Sequence, residues 1–182
     1  MKSSLCFLLL ILAGTFSASP AAQSPAVQTQ EQDPWGPLAF LIGSWSALGN
    51  GHPGEAASGS ATFSFSLDKK VLIRNNRAEI EPRPGEKAGR VHEDLMVIYR
   101  QPGEAKFMAD YFDNEGHVIR YVVSFPRAGT TAVFESEGNE KAPRFRLVYQ
   151  AGKDGTMAVD FLVAPPGGEF KSYLKGTMRR QP

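Results

Sequence analysis

Segment after segment of this chain alternates apolar and polar side chains with a period of two. Ala61, Phe63, Phe65 and Leu67 oppose Thr62, Ser64 and Ser66; Phe145, Leu147 and Tyr149 oppose Arg144 and Arg146; Met157, Val159, Phe161 and Val163 oppose Ala158 and Asp160. Such alternation gives each strand one buried and one wet face. Gly, Pro, Asn and Asp punctuate the series, which reads as strands at 44–50, 59–67, 70–80, 93–100, 105–112, 117–126, 130–136, 144–150, 156–164 and 170–179. The gaps are too short for crossover helices, so consecutive strands pair antiparallel. About ten amphipathic strands in an open sheet would leave bare edges. The expectation is therefore an all-β fold, a closed antiparallel up-and-down barrel.

The stretch Pro37-Leu38-Ala39-Phe40-Leu41-Ile42-Gly43-Ser44-Trp45 precedes and opens the first strand. Five of its nine side chains are large and apolar, and one turn of helix buries most of them. It is read as a short helical plug at one end of the barrel, with Trp45 at the closure.

Residues 1–21 have the form of a secretory signal peptide. Lys2 is the positive start, Leu5 to Leu12 the apolar core, and Ser19-Pro20-Ala21 the small-residue cleavage site. Eight apolar residues fall short of the roughly 20 that a spanning helix requires. Residues 22–33 are Gln, Pro, Ser, Thr, Ala and Glu with little to bury, and read as a disordered linker. The domain is placed at 34–182, about 150 residues, enough to bury about 70% of the unfolded surface around one core. The single cysteine, Cys6, lies in the signal, so the exported chain has no disulfide. Without Lys2, the 20 basic residues become 19 against 19 acidic ones. That balance offers no cation cluster for nucleic acid, and no Lys/Arg run suggests a membrane surface. The expected location is secreted or periplasmic, with no integral membrane segment once the signal is removed.

One hairpin is legible to its register. A three-residue loop with Gly116 in the left-handed position pairs Asp113 with His117, and so sets Asp110 against Arg120, Tyr111 against Ile119 and Phe107 against Val123. The face carrying Ile119, Tyr121, Val123 and Phe125 is the more apolar. If it points inward, His117 lies at the mouth with Tyr121 deeper and Tyr111 across the hairpin; alternatively His117 only satisfies the Asp113 turn. Asp110 and Arg120 would then face out, the cheaper arrangement for charge. Strand 70–80 is polar on both faces, with Leu72, Arg74, Asn76 and Ala78 against Ile73, Asn75, Arg77 and Glu79. Some of these either orient a ligand in a cavity or sit on an exposed rim.

Other motifs carry less. Gly49-Asn50-Gly51-His52-Pro53-Gly54 matches G-x-G-x-x-G, but a dinucleotide site needs a helix to begin there, and a strand follows instead. His52, His92 and His117 lie on separate segments without metal-ligand spacing, so no metal site is assigned.

With its apolar turn, Gly-x-Trp and terminal Gly176-Thr177-Met178-Arg179-Arg180, the chain resembles the calycin superfamily. The opening motif is most similar to nitrobindin and its barrel relatives. Asp94 to Tyr99 and Tyr111 to Ile119 look like an uncharacterised exported branch of that group, lipocalin-like in architecture. The resemblance implies that Trp45 packs beneath Arg179 or Arg180, with Arg179 taken as the partner. It also raises haem as a cofactor, but the family's late-strand His has no counterpart after His117. The leading expectation is an exported barrel that binds a small, largely hydrophobic molecule in its interior, with Asn76, Tyr111, His117 and Tyr121 orienting its polar group. The alternatives are a nitrobindin-like haem-dependent or other small-molecule enzyme, with catalytic residues unassigned, and a non-catalytic envelope protein acting through its outer surface.

Overall fold

A computed structural model describes residues 33–48, 56–138 and 141–182. The signal and linker readings, and the glycine run with His52, lie outside the described residues. Ten strands follow a 3₁₀ turn at Gly36–Leu41: β1 Gly43–Leu48, β2 Ala56–Ser66, β3 Val71–Ile80, β4 Arg90–Arg100, β5 Phe107–Asp113, β6 Val118–Arg127, β7 Thr131–Ser136, β8 Arg144–Ala151, β9 Thr156–Ala164 and β10 Lys171–Arg180. Each pairs antiparallel with its sequence neighbours, and β1 pairs with β10 to close the barrel. Among the described residues no helix is long and apolar enough to cross a membrane.

The closed end is built where the alternating faces converge on the 3₁₀ turn. Pro37 is the second residue of that turn, as suits a residue without a donor where helical N–H groups lack partners. Leu38 and Leu41 are fully buried, worth roughly 1.5–3 kcal/mol each against exposure. Trp35, just before the turn, belongs to the plug too. Its indole N–H donates to the Lys69 carbonyl at 2.9 Å, and its ring meets Phe65 and Phe107 edge-on, each at 5.3 Å. The Trp45 indole donates to the Leu41 carbonyl at 2.7 Å, tying β1 back to the turn.

The hairpin register holds. Asp110 lies opposite Arg120, Tyr111 opposite Ile119 and Phe107 opposite Val123, with Gly116 at φ +93°. Phe107, Ala109, Tyr121 and Val123 are buried, so the Tyr111/Tyr121 face points inward. Asp110 and Arg120 form a 2.9 Å ion pair on the outside, worth at most about 1 kcal/mol. In β3, Leu72, Arg74 and Asn76 point inward. Val71, Ile73, Asn75 and Arg77 point out.

The closure cation is Arg180, not Arg179. The pairing sets Trp45 against Arg180 and Ser46 against Arg179. Directly paired residues share a face, so Arg180 shares the inward face of Trp45 while Arg179 points away.

Candidate functional site

At the end opposite the plug, the inward faces divide into two walls. β3, β4 and β5 contribute Asn76, His92, Asp94, Tyr111 and Asp113. Across the lumen, Ile119 from β6, Phe145 from β8, Val159 and Phe161 from β9 and Leu174 from β10 take inward positions and remain half-buried or exposed. The register explains the polar wall: β3 and β4 pair Asn76 with Asp94 and Ala78 with His92, and β4 and β5 pair Asp94 with Asp113. These strands are apolar toward the plug, at Leu72, Ile98 and Ala109, and polar toward the mouth.

Arg74 and Asp94 form an ion pair inside the barrel, Nη1 to Oδ1 at 3.2 Å, with side chains 9% and 2% exposed. Arg74 Nη2 donates to Asp94 Oδ2 at 3.3 Å, and Asn76 Nδ2 donates to the same oxygen at 2.8 Å. A hydrogen-bonded chain leads from there to solvent. His92 Nε2 is 3.4 Å from Asp94 Oδ2 and 3.2 Å from the Tyr111 hydroxyl, which donates to Asp113 Oδ2 at 3.2 Å. Asp113 Oδ2 is in turn 2.8 Å from Nδ1 of His117, whose side chain is 61% exposed. His92 Nδ1 also approaches Glu115 at 3.4 Å.

These contacts set the protonation states. The hydrogen bond to Asp94 is the main cause that raises the His92 imidazole above its usual value. Burial pushes Asp113 up, but hydrogen bonds from the His117 backbone, the His117 ring and the Tyr111 hydroxyl outweigh it and hold its carboxyl low. Burial raises the phenols of Tyr111 and Tyr121, and lifts Tyr149 to about 12. All three are neutral donors at ordinary pH. For Arg74, burial works against its charge, but the surrounding Tyr149, Asp94, Tyr111 and Tyr121 prevail and keep it cationic.

Beneath the polar wall the lumen is aromatic. Tyr111, Tyr121, Phe134, Tyr149 and Phe63 meet edge-to-face in succession, with centroids 6.4, 6.3, 5.8 and 5.5 Å apart. The Arg74 guanidinium lies 5.9 Å from the centre of the Tyr149 ring. Ring edges packed on ring faces fill the half of the barrel nearer the plug.

The structure therefore brings Asn76, Tyr111 and Tyr121 into one lumen and leaves His117 at its rim. The His117 backbone N–H and ring both bond the Asp113 carboxylate, so this histidine secures the turn. Sequence reasoning passed over His92 and Asp94 as lumen residues. The signal is a period of two through His92, Asp94, Met96 and Ile98, obscured by starting the strand at 93 when it begins at Arg90. Tyr149 was legible as a buried alternating position without a role.

The donor set does not fit haem. The inward late-strand positions carry Phe145, Tyr149, Phe161 and Met178; Tyr149 and Met178 are packed in the core. His92 and His117 hold their ring nitrogens against carboxylates and Tyr111. Among the described residues no group of His, Cys, Asp and Glu is arranged to hold a metal ion. An outer groove of about 520 Å³ runs over β2 to β5, lined by Thr62, Asn75, Leu95 and Phe112 among others. Of its charged members, Arg77 and Glu93 pair with one another at 2.8 Å and Asp94 and Asp113 are engaged on the lumen side; both ends of the Asn114 amide are bonded to β4 backbone. No family model matches this chain, and no curated protein matches it.

Proposed function

We propose that this chain is an exported, calycin-like barrel that binds a small amphiphilic molecule through the open end of its lumen. The observation that carries the reading is the Arg74–Asp94 pair, buried inside a barrel whose opposite wall offers unfilled apolar surface. Two charges in the interior cost several kcal/mol each in desolvation, and an apolar core of the same volume would be more stable. A lumen that orients a ligand's polar group has a use for them. Half-buried Ile119, Phe145 and Phe161 supply the apolar contact.

The ligand is amphiphilic rather than largely hydrophobic, because the aromatic side chains beneath the mouth already pack against one another. The calycin-like reading is supported by the plug, the Gly-x-Trp on β1 and the Arg on the last strand over that Trp. The export reading is supported by the charge, apolar core and small-residue site of residues 1–21.

The test is saturable binding of the neutral dye N-phenyl-1-naphthylamine, together with native mass spectrometry of the purified protein. One dye per chain is expected, weakened about tenfold by Phe161→Asp, the cost of losing one buried aromatic contact. Phe112→Asp, on the outer face, leaves it unchanged. Absence of saturable binding together with absence of a copurifying mass ends the proposal.

A further inference from the structure

The lumen holds more hydrogen-bond donors than the protein satisfies. Arg74 commits both terminal nitrogens to Asp94, and its buried Nε–H has no partner among the described residues. Tyr121 and Tyr149 are each 1% exposed. Both rings are held edge-to-face, on Phe134 at 6.3 and 5.8 Å, but neither hydroxyl has a hydrogen bond among the described residues. Tyr111 is not part of this surplus, since its hydroxyl is shared between Asp113 and His92. Of these three donors Arg74 Nε is a fully buried atom without a hydrogen bond, as is the acceptor Asp94 Oδ1 across its ion pair; such atoms are rare, because they forfeit the hydrogen bond that water would provide.

Charge decides which class of group completes them. Asp94 neutralises Arg74 within the lumen, and Asn76 and His92 crowd the same carboxylate. An anionic ligand would enter a site whose cation already has its counter-ion, and would be buried uncompensated. A cationic ligand would face the free Nε–H and two hydroxyl donors. A neutral acceptor oxygen suits them.

Taking the lumen-binding reading above as its basis, we infer that the site selects a neutral carbonyl-type oxygen, received by Arg74 Nε–H and the hydroxyls of Tyr121 and Tyr149. The ligand's apolar body lies toward Ile119, Phe145 and Phe161. Recognition is by acceptor chemistry rather than by charge, and a ketone, ester or amide head group meets it.

Three single-ring probes of matched shape test this: acetophenone, benzoate and ethylbenzene, titrated into the full-length protein and followed by NMR. Acetophenone should bind about tenfold tighter than either of the others, the discrimination expected when buried donors gain or lack their acceptor. Tyr121→Phe and Tyr149→Phe should each weaken acetophenone about fivefold and leave ethylbenzene unchanged, with folding checked by thermal unfolding. The carbonyl stretch of bound acetophenone should move to lower wavenumber in the wild type, and less in each variant. Equal binding of acetophenone and ethylbenzene, tightest binding of benzoate, or indifference to both Phe variants overturns the inference. If none of the three binds while N-phenyl-1-naphthylamine still saturates the mouth, the carbonyl site alone is refuted. If the dye fails too, lumen binding falls and this inference with it.

Discussion

The Arg180 guanidinium carbon lies 4.3 Å from the centre of the Trp45 ring. The same side chain donates to the carbonyls of Phe40, at 2.8 Å, and Ile42. One residue near the C-terminus thus fastens the 3₁₀ turn, the first strand and the last strand together. Cation–π contact and charged hydrogen bonds to carbonyls are complementary here, since the ring takes the face of the fork and the backbone takes its edge.

Arg180→Ala should therefore cost about 2 kcal/mol of stability. Arg180→Lys should recover only part, because an ammonium lacks the planar fork. Arg179→Ala, on the outward face, should stay within about 0.5 kcal/mol. Urea unfolding of the three variants measures this, and equal losses at positions 179 and 180 would contradict the closure.

Gly43 is bound to the same contact. Its φ is +121°, and a Cβ there would lie 2.6 Å from Arg180 Nη1. Gly43→Ala should lose about 1–3 kcal/mol from backbone strain together with the displaced cation. In combination with Arg180→Ala the losses should be less than additive, because the second substitution removes the atom the first collides with. Full additivity in a double-mutant cycle would show that the glycine serves its backbone alone.

Breaking the buried pair in the lumen should be severe. Arg74→Met or Asp94→Leu alone leaves an uncompensated interior charge, at a cost of roughly 3–5 kcal/mol, while the double variant should be much closer to wild type. Denaturant titration of the three proteins checks this. A double variant as unstable as the sum of the singles would mean that the pair acts through its hydrogen bonds to Asn76 and His92 instead.

The histidine and aspartate of the polar wall should leave opposite marks on the pH profile. His92 is raised above 6.5 on folding, chiefly by its hydrogen bond to Asp94. Its contribution is fully present below that value and is lost as pH rises through the raised one. Asp113 is lowered below 3.8, its hydrogen bonds outweighing burial. Its contribution is present above that value and disappears as pH falls through the lowered one. Unfolding curves across pH should lose the alkaline decline in His92→Asn and part of the acid decline in Asp113→Asn. Unchanged profiles would mean that these contacts do not persist in solution.

Much of the barrel was legible because strand alternation is local. Ala61 and Phe63, or Phe145 and Leu147, declare a buried face within a few residues, and Asp113 to Gly116 declares a turn whose length sets the register beyond it. Arg74 was not legible as a lumen residue in the same way. Both faces of its strand are polar, so its orientation depends on Phe63 in β2 and Met96 in β4, the residues paired with it.

The sequence by itself determined the ten-strand meander, the apolar plug and the register of the β5–β6 hairpin, since each follows from periodicity or turn chemistry within one or two strands; which face of that hairpin points inward was decided by the closed barrel. Only the tertiary structure decided that Arg180 rather than Arg179 covers Trp45, and that Arg74, Asp94 and His92 meet in one lumen. A shift of one residue in a strand exchanges its two faces. At the seam that choice is made by β1 and β9, which hold Arg180 against Trp45 and Met178 against Met157. Strands far apart in sequence must meet before either residue has a side to face.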